Sequence, residues 1–170
     1  DHLPHWFSSL DQHSVQPPLI ISLLAGVNVL QLEHLIGHKG RLIRVMPNLP
    51  ASVGLGVTLA HVPQHFVESP PLSSSTQPSD RERCELLFRS VGHLEWIDKE
   101  SDMHAATAIS GSGPAYVFMA IEALADAGVA LGLKRAVAQR LAAHTIEGSG
   151  AMAKEASPAS LKDRVTSPGG

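Results

Sequence analysis

Cysteine, aromatic side chains and basic charge are all scarce in this chain of 170 residues. The single cysteine, Cys84, excludes an internal disulfide framework and is compatible with a reducing compartment. Aromatic residues make up only 4% of the chain, so we expect a core of Ala, Val, Leu and Ile. Such a core suits close helix packing or a nucleotide-type sheet and fits an aromatic-rich β-sandwich poorly.

Charge and hydropathy argue against two classes of partner. The net charge of −3 disfavours a nucleic-acid-binding surface, which needs a basic face. No apolar run approaches the length of a membrane span, and the opening residues do not form a signal peptide. We therefore expect a cytoplasmic protein with no nucleic-acid and no membrane partner. The missing initiator Met, and an end inside what reads as a binding turn, lead us to expect a fragment.

Strands and helices alternate in the first half of the chain. The apolar run Pro18–Gly26 predicts a fully buried strand of a parallel sheet, and helical spacing follows over Val29–Ile36. Further strands are predicted at Arg41–Met46, Val57–Ala60 and His93–Ile97. This order predicts a βαβ unit and an α/β sheet.

Two composition changes divide the rest of the chain. Residues 66–79 are rich in Pro, Ser and Thr, which predicts a loop insertion before an amphipathic helix at Asp80–Val91 with Leu86, Leu87 and Val91 on its apolar side. From Glu100 onwards the chain is rich in Ala and Gly and has only helical periodicity, so we place a domain boundary near Asp98–Glu100. The predicted helices are Met103–Ile109, Ala115–Asp126, Arg135–Lys154 and a short one after Ser157-Pro158.

Three short segments could carry ligand chemistry. Ser110–Tyr116 predicts a glycine loop that exposes the N–H groups of a helix N-terminus, with a plain turn between helices as the alternative. It is not a dinucleotide fingerprint, because Tyr116 stands at the third glycine. Asn48 follows a strand where α/β sheets bind ligands, although a strand-ending turn is the simpler interpretation. The terminal Ser167–Gly170 offers a hydroxyl and backbone N–H groups to an anion such as a carboxylate.

Metal and thiol chemistry are not expected. Two histidine pairs have the i,i+4 spacing of helical zinc ligands: His34 with His38, and His61 with His65. Leu35 and Val62 occupy the positions where such sites need Glu, so solvated surface histidines and no metal are predicted. Cys84 lies in a charged stretch without a His–Asp pair, which argues against a nucleophile.

Several long motifs in order resemble the pyrroline-5-carboxylate reductase family. They are Met46–Pro50, Ala108–Phe118, Glu122–Val129 with Gly132-Leu133, and Leu161–Gly170. The similarity runs from about Ile20 to Gly170, interrupted by the 66–79 insertion. The resemblance implies reduction of 1-pyrroline-5-carboxylate to L-proline with NADPH or NADH, the last step of proline biosynthesis.

The resemblance also implies an architecture. Family members join a Rossmann domain to a helical domain that interlocks with a second subunit, and the active site lies between the domains. The predicted fold class is therefore an α/β partial Rossmann-type sheet followed by an all-α dimerisation domain. Residues 1–99 would be the C-terminal part of the dinucleotide-binding domain, and residues 100–170 a truncated helical dimerisation and substrate domain, forming a homo-oligomer.

Site residues follow from the resemblance position by position. The implied substrate-binding residues are Glu100, an acid lining the pocket, and Ser167, Gly169 and Gly170, which would hold the carboxylate. The implied cofactor-binding residues are Ala25, Gly26, Asn48, Ser110, Gly111 and Arg164. No residue is assigned as catalytic, because hydride passes directly from nicotinamide C4 to the imine carbon while the protein positions both rings. Leu49 stands where relatives usually have Thr.

The alternative is a non-catalytic dimerisation or interaction fragment of such an enzyme. By the resemblance, a glycine-rich phosphate loop would precede Asp1, and a Thr pair with further helices would follow Gly170. Without the loop the cofactor pyrophosphate has no helix N-terminus to bind. We therefore predict little reductase activity for the 170 residues alone. Another dehydrogenase with a helical dimer domain would not explain the Ser167–Gly170 end together with the Ser110–Gly113 loop.

Overall fold

A computed structural model describes residues 18–36, 40–63 and 79–166. Within these ranges a four-stranded sheet with flanking helices is followed by a helical region, which confirms the predicted fold class. The elements are β1 (Leu19–Ser22), α1 (Val29–Ile36), β2 (Arg41–Met46), a 3-10 helix (Leu49–Val53), β3 (Gly56–His61), α2 (Asp80–Arg89), β4 (Gly92–Trp96), α3 (Asp102–Ser110), α4 (Gly113–Ala130), α5 (Arg135–Met152) and α6 (Pro158–Val165).

The sheet is mixed, with strand order β1-β2-β3-β4. β1 and β2 are parallel through α1, which forms the predicted βαβ unit, and β3 is parallel to β4. β2 and β3 are antiparallel because residues 47–55 are too few for a crossover, which needs about a dozen residues. The predicted full burial of the first strand is wrong, since Leu19, Ile20 and Ile21 are only half-buried at the edge of the described sheet.

Alternation along β2 sends successive side chains to opposite faces of the sheet. Leu42 packs with Val29, Leu32 and Ile36 of α1 on one face. On the other face Ile43 and Val45 pack with a second apolar group. That group comprises Ala60, Cys84, Phe88 and Leu94. Arg44 is in phase with Leu42, so its guanidinium lies on the α1 face.

Helix α2 buries a different side from the one predicted. Leu86 and Leu87 are 77% and 56% exposed, whereas Cys84 and Phe88 are buried one helical turn apart. The pair at i and i+4 defines the face that meets the sheet, and the helix ends at Arg89, before Val91. The sequence did not predict this face, because the residues next to Cys84 are charged.

The chain divides into two compact units, Asp1–Gly113 and Pro114–Gly170. The helical unit has a small core of Ala125, Ala138 and Ala142, whose short side chains let α4 and α5 approach closely. Ser157 caps α6 by accepting a hydrogen bond from the Ser160 N–H, so the predicted cap before Pro158 is confirmed. The domain boundary predicted near residue 99 stays a prediction.

One helical stretch, Asp102–Ala130, is long and apolar enough to cross a membrane by length and composition alone. No apolar run of this length was expected from the sequence. Only 6% of its most apolar window is buried. Length and composition are weak evidence for a membrane span, since helices of soluble proteins can share both.

Candidate functional site

The turn after β1 lies where parallel strands present their carboxyl ends. Ala25 and Gly26 form an exposed turn, and Gly26 adopts a left-handed φ of 75°. A Cβ on Gly26 would meet no atom within 4 Å, so the surface there is open to a ligand. On the strand side, the Ser22 hydroxyl accepts a hydrogen bond of 3.3 Å from the Leu24 N–H.

The start of α1 is capped reciprocally. The Gln31 N–H donates to Asn28 Oδ1 at 2.8 Å, and the Asn28 N–H donates to Gln31 Oε1 at 2.9 Å. Together they satisfy two donors that a helix N-terminus otherwise leaves unpaired. Sequence analysis missed this motif, although Asn followed three residues later by Gln is its signature.

Glu100 joins three segments of the sheet unit. Its Oε1 accepts a hydrogen bond of 2.7 Å from the Val29 N–H and another of 2.7 Å from Arg44 Nη1. The Arg44 side chain is only 9% exposed and that of Glu100 is 27% exposed. Arg44 was not predicted as a site residue, although a charged residue in the middle of a mostly apolar strand is a signal for one.

Asn48 and Ser110, two of the residues assigned to the cofactor, are brought together by the fold. Asn48 Nδ2 donates to the Ser110 carbonyl at 2.8 Å, and Asn48 Oδ1 accepts from the Val57 N–H at 2.8 Å. The amide therefore ties the end of β2 to β3 and to the last turn of α3. These bonds hold a turn at the end of β2, and the cofactor role assigned to Asn48 stays a prediction.

The Ser-Gly-Ser-Gly segment forms a tight turn between helices. Gly111 is right-handed, with φ −81° and ψ −47°. The N–H groups of Gly111 and Ser112 both donate to the Thr107 carbonyl, at 2.7 and 3.1 Å. The Ser110 hydroxyl donates to the Ala106 carbonyl at 3.1 Å. The segment therefore forms a turn between helices in which the N–H groups of Gly111 and Ser112 are paired, and the cofactor role assigned to Ser110 and Gly111 stays a prediction.

The remaining predicted residues lie at the end of the chain. Arg164 is exposed in the last turn of α6. Ser167, Gly169 and Gly170 lie outside the described residues. Their roles stay predictions.

One histidine that was predicted to be exposed is buried. His34 is exposed, but His61 is only 5% exposed, and its Nδ1 lies 2.8 Å from the Ile97 carbonyl. The prediction of a solvated side chain is therefore wrong for His61, whose ring bridges β3 to the end of β4. His38 and His65 are outside the described residues. In the described part of the chain no group of three or more His, Cys, Asp or Glu could hold a metal ion.

We expect Cys84 to be chemically inert in the folded chain. Burial raises the pKa of its thiol from 9.0 to about 11, with a smaller contribution from the Glu85 carboxylate. At pH 8 a thiol with a pKa of about 11 has a thiolate fraction about 100-fold lower than a thiol with a pKa of 9.0. Reaction with a disulfide reagent at pH 8 should therefore be at least about 100-fold slower than in urea-unfolded chain. Equal rates would contradict the burial.

The raised pKa of Cys84 makes the free energy of unfolding depend on pH. The folded state favours the neutral thiol, so this contribution to the free energy of unfolding is complete below pH 9.0. It is lost as the pH rises towards and through about 11.

The helical unit carries a groove that sequence analysis did not predict. It has a volume of about 510 Å³ and lies between α4 and α5, where an ion pair joins Arg135 to Asp126. Apolar side chains of Phe118, Met119 and Ile121 line it together with Glu122. The groove therefore combines an apolar wall with charged groups.

Comparison with known proteins gives consistent matches. Residues 100–170 match the family model described as pyrroline-5-carboxylate reductase dimerisation. The chain is 42% identical over 155 residues to pyrroline-5-carboxylate reductase of Synechocystis sp., covering 90% of this chain and 54% of the relative. It is 41% identical over 165 residues to the Escherichia coli (strain K12) enzyme of that name, covering 96% and 56%.

Solved structures agree with the sequence matches. The Plasmodium falciparum pyrroline carboxylate reductase with NADP bound aligns with TM-score 0.78 and 36% identity, covering 99% of this chain and 62% of that one. The Coxiella burnetii pyrroline-5-carboxylate reductase aligns with TM-score 0.80 and 34% identity, covering 99% and 58%. The chain spans about half the length of the curated relatives it matches.

Proposed function

Since the chain belongs to the pyrroline-5-carboxylate reductase family, we propose that it serves the NAD(P)H-dependent reduction of 1-pyrroline-5-carboxylate to L-proline, the last step of proline biosynthesis. The observation that carries the proposal is a match through both units: 42% identity covers 90% of the chain. A cytoplasmic location is proposed with it.

We propose that the cofactor, NADPH or NADH, lies against the turn after β1. The surface at Gly26 is open, because a Cβ at this position would meet no atom within 4 Å. A bound nucleotide could occupy this space. The further cofactor residues are Asn48, Ser110, Gly111 and Arg164. When bound, the reduced nicotinamide supplies the hydride that reaches the imine carbon. Because the side chain of Asn48 is already paired at both ends, its part is to hold the end of β2 in place.

The substrate carboxylate is proposed to bind at the end of the chain. The Ser167 hydroxyl and the N–H groups of Gly169 and Gly170 are donors suited to a carboxylate. Glu100 stays a proposed pocket residue through Oε2, since its Oε1 is occupied by Val29 and Arg44. All of these groups bind and orient the substrate, and the proton on the ring nitrogen of the product comes from the protonated imine, with a hydroxyl or water as its relay.

We propose a homo-oligomer formed through the helical unit. The match of residues 100–170 to a dimerisation family supports it. A second support is exposed apolar surface on helices of that unit, since Tyr116 is 70%, Met119 63% and Leu141 55% exposed. A partner subunit would remove these side chains from water.

A non-catalytic interaction module is the second candidate. The observation that favours it is the absence of any G-x-G-x-x-G stretch from the 170 residues. Exposed apolar helices would serve such a module as well as they serve an enzyme.

A chimaera distinguishes the two functions. The 155 matched residues of the Synechocystis reductase are replaced by the corresponding residues of this chain. We expect the chimaera to support growth without proline in a reductase-deficient host. We also expect its rate of imine reduction to lie within about tenfold of that of the parent enzyme, because even one misplaced group would lower this rate on the order of 10²-fold.

Serine variants of the chimaera test the carboxylate site. Ser167→Ala should raise KM for the imine about three- to tenfold, the loss of one hydrogen bond, whereas Ser149→Ala on α5 should not. A folded, oligomeric chimaera without activity would contradict the reductase proposal and support the interaction module.

A further inference from the structure

Two positively polarised groups converge on Oε1 of Glu100. The first is the guanidinium of Arg44, which is almost fully buried and needs a partner charge. The second is the N–H of Val29, the first residue of α1, at the positive end of the helix dipole. A carboxylate satisfies both, and a residue 71 positions away in sequence thereby holds the start of α1.

The same contact limits the turn before the helix. Only Val27 and Asn28 separate Gly26 from Val29. The Asn28 side chain is bonded into the first helical turn, so the chain has little freedom between Gly26 and α1. Ser22 restrains the other side of the turn through the Leu24 N–H.

We propose that Glu100 is a positioning residue, which sets the conformation of the Ala25–Gly26 turn through the Val29 N–H and the Arg44 guanidinium. The proposal deepens the proposed function and rests on it, because this turn affects the reaction only if it borders the cofactor. Glu100 then acts on the cofactor side through Oε1, in addition to any contact of Oε2 with substrate.

Hydrogen exchange of the full chain tests the local part. Glu100→Ala removes the acceptor and should speed exchange of the amides from Gly26 to Val29 about tenfold, the effect of one lost hydrogen bond. Glu100→Gln retains an oxygen acceptor and should restore exchange to within about threefold of the parent chain. The matched control is Glu95→Ala, because Glu95 is exposed on β4 and pairs with His93 among the described residues. It should leave these amides unchanged.

Binding of NADP⁺ to the chimaera, which carries the remainder of the Synechocystis reductase, tests the functional part and is followed through the amide signal of Gly26. Glu100→Ala should weaken binding about tenfold, and Glu100→Gln should recover most of it. Unchanged exchange and binding in Glu100→Ala would overturn the positioning role. If that variant does not fold, Glu100→Asp replaces it, since the shorter side chain keeps the charge for Arg44 but withdraws its oxygen from Val29. A parent chimaera that shows no NADP⁺ contact at Gly26 contradicts the proposed cofactor site, while the exchange result in the full chain still decides the role of Glu100.

Discussion

A protein of these 170 residues is expected to reduce 1-pyrroline-5-carboxylate at least about 10³-fold more slowly than an intact relative, because positioning the cofactor supplies much of such a rate. The sequence has no G-x-G-x-x-G stretch. The partial match at Gly111 and Gly113 has its Gly111 N–H donated to the Thr107 carbonyl, and the one at Gly148 and Gly150 lies within α5. In dinucleotide-binding folds the G-x-G-x-x-G stretch presents a helix N-terminus to the pyrophosphate, and the sequence of these 170 residues does not contain it.

Oxidation of NADPH, followed by absorbance with the imine as substrate, measures the expected loss. The Escherichia coli reductase, 41% identical to this chain, is the positive control. A folded sample is established by circular dichroism before the assay. A rate within tenfold of the control would contradict the prediction and show that the 170 residues hold the cofactor by another route.

Gly92→Ala is expected to lower the free energy of unfolding by about 3 kcal/mol or more, because backbone strain and a steric clash add at this position. Gly92 begins β4 with φ 141°, a conformation that L side chains rarely adopt. Its Cβ would lie 2.5 Å from the backbone nitrogen of Gly56, the residue paired with it across β3 and β4. The clash is relieved only if β3 and β4 separate at their first residue pair.

Gly54→Ala is the matched control for this effect. Gly54 also has a positive φ, 76°, but a Cβ there would meet no atom within 4 Å. Backbone strain alone should therefore cost about 1–2 kcal/mol. Urea unfolding followed by circular dichroism and tryptophan fluorescence compares the two variants. Equal losses of stability would show that the strand contact at Gly92 relaxes without cost.

Local patterning accounts for the elements that sequence analysis placed well. α1 and β2 lie at the predicted residues, because helical spacing and a short apolar strand are properties of neighbouring side chains. The Ser157 cap before Pro158 is local in the same way. The buried side of α2 was missed because Cys84 sits among charged residues, so the apolar signal pointed to Leu86 and Leu87 instead.

The sequence by itself predicted the resemblance to pyrroline-5-carboxylate reductases, the α/β region followed by helices, and the segments in which a site can lie. Only the tertiary structure decided what the polar groups do there. Glu100 meets Val29 and Arg44 across 71 and 56 positions, and Asn48 meets Ser110 across 62. Such pairings depend on which segments the folded sheet brings within hydrogen-bond distance. Local periodicity contains no information about that distance, and so the partner of a buried polar group becomes known only from the folded chain.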